Sequence, residues 1–244
     1  MTQLDRFDGM TVDELRDRMK TTTTPETRFR AMVGLCALLD QEAAHADLLE
    51  AMGDADASLV AYACKQVARR SSVFSEEQAA ELKGRLEACL QHEDPDVKFE
   101  AARAWVHFPF DARVVHRLLH ELLNDSETQP LMLGPVLKTF AKAHGPVDQL
   151  KVSFKLLADH EKEDLREAVA ESIGLLGSEG RPFASILLKL LDDEDPFVRE
   201  RAAHSLALIG SQAAEIVEAL KAATQDEDEG CAEEARKSLE QLLK

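Results

Sequence analysis

Aromatic residues are scarce, making up 5% of the 244-residue chain, with one tryptophan and one tyrosine. Sandwiches and barrels rely on aromatic and β-branched side chains to fill pleated faces, so the shortage counts against a strand-built fold. Cysteine is confined to Cys36, Cys64, Cys89 and Cys231, with no CxxC pair. Neither a zinc knuckle nor a disulfide framework is expected, and the thiols read as buried and free. Positive charge is also short: 29 Lys+Arg against 46 Asp+Glu leave a net charge of −17. Such a chain repels polyanions before any contact forms, which excludes nucleic acid and anionic membrane as expected partners. Long apolar runs are missing too. The densest, from Ile186 to Leu191, is broken by Lys189, so no membrane insertion is expected. Residues 1–10 carry Asp5, Arg6 and Asp8 where a signal peptide needs an apolar stretch, and the expected location is cytoplasmic.

What the chain does contain is Ala, Leu, Glu, Lys and Arg, the strong helix formers, with 45% apolar residues in all. An all-α protein with a real core is the first expectation. A repeat then organises the helices. The clearest copy runs from Asp195-Pro196-Phe197-Val198-Arg199 through Ala202-Ala203 and Leu206 to Gly210. Others begin at Asp94-Pro95, at Leu165-Arg166 and at Thr24-Pro25. Taking Val198 as the reference position, its equivalents are Thr27, Leu59, Val97, Met132, Leu165 and Cys231, at intervals of 32, 38, 35, 33, 33 and 33. Small or apolar residues recur four, five and eight positions after the reference, as Ala202, Ala203 and Leu206 do in the clearest copy, which is one face of a helix. A second amphipathic helix fits between copies, for example Ser75 to Leu90, Ser185 to Leu191 or Gln212 to Ala222.

The conserved chemistry of each copy has a physical reason. Asp94 and Asp195 can cap the helix that follows, Pro95 and Pro196 suit its first turn, and Gly177 and Gly210 suit its left-handed end. The first helix, Thr11 to Lys20, and the last, Gly230 to Lys244, have polar outer faces, as terminal repeats require. Glu127 to Pro130, with Pro135 after it, marks the most irregular copy and an expected bend. No composition break divides the chain, so residues 1–244 read as a single repeat domain.

These residues resemble HEAT repeats, in particular the short type named after phycobilisome lyases. The resemblance implies an α-solenoid of about seven helix pairs, with the first helix of each pair on the convex face and the second lining the concave face. It implies a bacterial protein-binding adaptor or scaffold, with a signalling or assembly protein as the partner. The alternative it carries is a lyase-like enzyme or chaperone acting on a tetrapyrrole in the groove.

No motif favours an enzyme. GxSxG, P-loop, GxGxxG and HExxH sequences are absent. A hydroxylase family of similar fold holds two irons through His-Glu pairs two and three positions after the reference. Here those slots hold Phe99-Glu100, Glu167-Ala168, Glu200-Arg201 and Glu233-Glu234, without histidine. The actual pairs, His92-Glu93, His120-Glu121 and His160-Glu161, lie outside those slots, so no metal and no cofactor is expected. Glycosylases of similar fold use tryptophans in a basic groove, whereas Trp105 occupies the core position filled elsewhere by Leu206 and Leu239. Positions two, three and six after the reference should line the concave ridge. They are aromatic and partly basic in the N-terminal half and acidic in the C-terminal half. The expected protein-binding residues are therefore Phe29, Arg30, Tyr62, Lys65, Phe99 and Arg103, because exposed aromatics flanked by cations make interface anchors.

Overall fold

The computed structural model describes residues 9–39, 43–125, 128 and 130–244, and among them there are fourteen α-helices and no strand. The helices form seven pairs: α1 (Val12–Thr21) with α2 (Pro25–Leu38), α3 (His45–Ala51) with α4 (Ala57–Arg69), and α5 (Glu76–Cys89) with α6 (Pro95–Trp105). Then come α7 (Arg113–Asn124) with α8 (Pro130–Lys142), α9 (Val147–Leu157) with α10 (Glu163–Leu175), α11 (Ala184–Leu190) with α12 (Pro196–Leu208), and α13 (Ala214–Ala223) with α14 (Glu229–Leu242). The fold is an all-α repeat solenoid. Its contacts gather into two compact units, residues 1–111 with three pairs and residues 112–244 with four. Within each unit the second helices pack on one another in sequence order, and the first helices form a separate layer.

The reference positions fall on the second helices, and the stripe read from the sequence is the core. Four, five and eight residues after the reference stand Ala63, Cys64 and Val67 in α4, Ala101, Ala102 and Trp105 in α6, and Ala202, Ala203 and Leu206 in α12, all buried. Local chemistry starts and stops these helices as expected. Asp94 and Asp195 each accept backbone N–H bonds from the first turn, with Pro95 and Pro196 at its start. Gly177 and Gly210 take φ of 55° and 62° after α10 and α12, a conformation that costs glycine little. Residues 126, 127 and 129 of the irregular segment lie outside the described residues, while α8 runs through Pro135 as one helix. Small side chains at the stripe set the spacing between second helices. Ala203→Leu should therefore lower stability by about 1–3 kcal/mol through overpacking, seen as a lower urea midpoint; an unchanged midpoint would remove Ala203 from the seam.

A second device ties neighbouring repeats. Arg166, one residue after the reference in α10, donates twice to Asp193 of the next repeat at 2.8 Å each, and also to the carbonyl of His160 before its own helix. Asp193 in turn accepts the backbone N–H of Asp195. Arg199 and Asp226 reproduce this arrangement, and Arg28 and Asp54 make a version with a single donated bond. The fork of a guanidinium matches a carboxylate, so each staple fixes the rotation of one repeat against the next. Where the arginine position holds Val60 or Leu133, the aspartate position holds His92 or His160. Those rings accept the backbone N–H two residues on through Nδ1, at 3.0 and 3.1 Å. The loop turn is thereby kept, and the ion pair is not.

Candidate functional site

In the N-terminal unit the second-helix ridge carries the aromatic and basic residues singled out in the sequence. Phe29 on α2 and Tyr62 on α4 meet, with ring centroids 5.1 Å apart and planes tilted by 60°. Both rings remain half-exposed. Tilted pairs of this kind fix each other's position and leave one face free for a partner. Lys65, one turn beyond Tyr62, is half-buried, and Arg30 is exposed and paired within α2 to Glu26 at 2.8 Å. So exposed a pair adds little stability, and Arg30 can exchange its partner.

Phe99 departs from the expectation. It is only 2% exposed and belongs to the core of α6, so it cannot serve as a surface anchor. Arg103, one turn on, lies over its ring with the guanidinium carbon 5.9 Å from the centroid, and also pairs with Glu100. The cation therefore covers the ring and is itself neutralised. The preceding repeat has only Ala61 at the same offset, where Phe29 in the first repeat has stayed half-exposed beside Tyr62. Burial pushes the Glu100 carboxyl above its ordinary value, and Arg103 and Lys65 oppose that rise. The structure thus brings Phe29, Arg30, Tyr62 and Lys65 to an accessible ridge, withdraws Phe99 from it and leaves Arg103 half-exposed but paired with Glu100.

Two contributors fall off the offset pattern. Arg70, at the end of α4, is buried and donates to the carbonyl of Cys36 at 2.8 Å and to the side chain of Gln66. Cys36 and Tyr62 interact side chain to side chain, and burial raises the pKa of both groups, so the thiol and the phenol stay protonated. The sequence signal for Arg70 was weak. It sits eleven residues past the reference, beyond the three ridge positions, and next to Arg69 it read as ordinary surface charge at a helix end.

The ridge of the C-terminal unit is built differently. Lys138 pairs with Glu171 at 3.0 Å, Arg201 with Glu167 at 3.3 Å and His204 with Glu234 at 2.7 Å, each pair joining neighbouring second helices. The acidic half expected from the sequence is therefore largely engaged with its own cations. Among the described residues no group of three or more His, Cys, Asp or Glu could hold a metal ion. No helix among them is long and apolar enough to cross a membrane.

Residues 150–240 match the HEAT-repeat family model. That stretch is built of HEAT repeats. The same buried stripe runs through the earlier second helices as well, at Ala31, Met32 and Leu35 in α2 and Val136, Leu137 and Phe140 in α8. The repeat-solenoid fold recurs in solved structures of low sequence identity. An engineered protein aligns with a TM-score of 0.61 at 18% identity, covering 97% of this chain and 69% of that one. A designed armadillo repeat protein in complex with a (KR)4 peptide gives 0.54 at 19%, covering 80% and 98%. The complex of CpcE and CpcF of phycocyanin lyase from Nostoc sp. PCC7120 gives 0.53 at 20%, covering 96% and 95%. No curated protein sequence matches the chain significantly.

Proposed function

We propose that this HEAT-repeat chain is a non-enzymatic protein-binding scaffold or adaptor, and that its partner seats on the second-helix ridge of the first two repeats. The observation that carries the reading is the half-exposed Phe29–Tyr62 pair, held 5.1 Å apart in a chain poor in aromatics and flanked by Arg30 and Lys65. A helix or tail with apolar anchors and carboxylates would cover the rings and pair with the cations at the rim. The designed armadillo protein seen with a (KR)4 peptide supports a stacked-helix face as a peptide seat. The cations of this ridge favour the opposite charge. A bacterial cytoplasmic setting and a signalling or assembly partner complete the proposal, on the strength of the repeat type.

The experiment is affinity purification from the native host with mass spectrometry, repeated with two variants. Phe29→Ser with Tyr62→Ala should abolish capture of the identified partner while circular dichroism stays at wild type. Arg30→Glu with Lys65→Glu leaves the rings in place and should weaken capture, by roughly tenfold for lost charge complementarity. Undiminished capture by both variants would refute the ridge. If the isolated protein instead carries a linear tetrapyrrole, visible in its absorbance, the lyase-like reading replaces this one.

A further inference from the structure

The first-helix layer of the C-terminal unit holds a short repeated pattern that core packing does not require. α7 carries Arg113-Val114 and Arg117-Leu118, and α9 carries Lys151-Val152 and Lys155-Leu156. Each is a cation followed by an aliphatic residue, repeated four positions on, which lays a cationic row beside an aliphatic row on one helix face. The next residues in both helices, Val115 and Leu119 in α7 and Ser153 and Leu157 in α9, are buried. The two adjacent helices therefore share one rotational setting and present their doublets on the same layer.

Val152 and Leu156 are each 70% exposed, and Val114 is also exposed. Single exposed aliphatics are ordinary, but rows of them on neighbouring helices with cations between them form a patch. Nearby lysines are engaged, Lys189 with Asp159 and Lys138 with Glu171. Lys151 and Lys155 have no carboxylate partner among the described residues. Arg117 pairs only with the exposed Glu121 on its own helix. Lys151 and Lys155 also line a cleft of about 280 Å³ with Phe183, Ile186 and Asp148. In a chain of net charge −17, uncommitted cations beside exposed aliphatics are an unusual local surface.

We propose that this α7/α9 face docks an acidic amphipathic helix of a partner protein. Two aliphatic rows at helical spacing fit the apolar stripe of such a helix, and carboxylates flanking that stripe would meet Lys151 and Lys155. A short helix sets a few carboxylates against the local cations and an apolar stripe against the aliphatic rows, whereas a second copy brings its full −17 and nucleic acid or an anionic bilayer brings an extended array of charge with no such stripe. This surface uses different residues, a different layer and a different unit from the ridge proposed above, so the two stand or fall separately.

The test uses the full chain and a fluorescein-labelled synthetic helix of Leu, Ala and Glu with its leucine stripe bordered by glutamates. Anisotropy should show binding that weakens as salt rises. Lys151→Glu with Lys155→Glu should weaken it by roughly tenfold or more, and Val152→Ser with Leu156→Ser should do so as well. All four positions are exposed, so circular dichroism should remain at wild type for both variants. Several outcomes would overturn the proposal: no binding of the peptide, equal binding of a version with lysine in place of glutamate, or variants that bind like wild type. Binding to phosphatidylserine vesicles in preference to the peptide, or concentration-dependent self-association abolished by the serine variant, would overturn it too.

Discussion

Arg166→Ala is expected to lower the stability of the C-terminal unit by about 3–5 kcal/mol, the usual cost of removing one partner from a buried ion pair. Both side chains are 9% exposed, and the substitution strands Asp193 between repeats together with the carbonyls of His160 and Glu161. The loss should depend on pH. Burial pulls the Asp193 carboxyl up, but the Arg166 hydrogen bonds, the Asp195 N–H and the charges of Arg166 and Arg199 together outweigh it and hold its pKa below the ordinary value; the Arg199 hydrogen bond leads the same lowering of Asp226. A group whose folded pKa is depressed contributes its stability above the unfolded pKa and loses it as pH falls through the folded one. The gap between wild type and Arg166→Ala should accordingly be widest near neutrality and narrow in acid. Urea denaturation at both pH values measures it, and a gap that is small or independent of pH would mean the staple contributes nothing to the seam.

Phe99→Asp is expected to be the most damaging single change on the N-terminal unit. Removing a buried aromatic side chain costs about 3–5 kcal/mol, and the carboxylate that replaces it must be buried or must open the structure. The variant should lose its cooperative melt, whereas Phe99→Leu should keep one at reduced temperature. A loss of partner binding in Phe99→Asp would then report unfolding and say nothing about the ridge, which is why Phe29 and Tyr62 are the informative positions. A wild-type melt for Phe99→Asp would place that ring on the surface.

The periodicity made the architecture legible. Intervals close to 33 residues, Asp-Pro starts and the Ala-Ala stripe locate every second helix, because the core of a repeat protein is itself periodic. Trp105 was correctly assigned to that core by offset alone. The ridge was legible only in part, since offset gives the direction of a Cα–Cβ bond and not the final depth of a long side chain. Phe99 and Phe29 share an offset and differ in burial because of what surrounds them: a cation and a small neighbouring residue at one, a second ring at the other. The Arg–Asp staples are visible in hindsight as a residue one after the reference and one five before the next. They pass unnoticed in a single copy because both residues read as ordinary surface charge.

The alternation of staple and histidine turn has an energetic consequence for the chain as an array. In a linear stack each repeat is coupled only to its neighbours, so total stability is a chain of local terms and the weakest coupling decides where a fluctuation stops. The last three repeats are joined by two successive arginine staples, Arg166 with Asp193 and Arg199 with Asp226. They gain a common threshold for opening. The joint before them, at Leu133 and His160, lacks the staple and keeps the more exposed Lys138–Glu171 pair between α8 and α10, so opening that begins in the fourth repeat meets a lower threshold there. The C-terminal unit thus holds a latch of three stapled repeats beside one joined more weakly, and the weakly joined repeat is the one that contributes α7 to the first-helix layer.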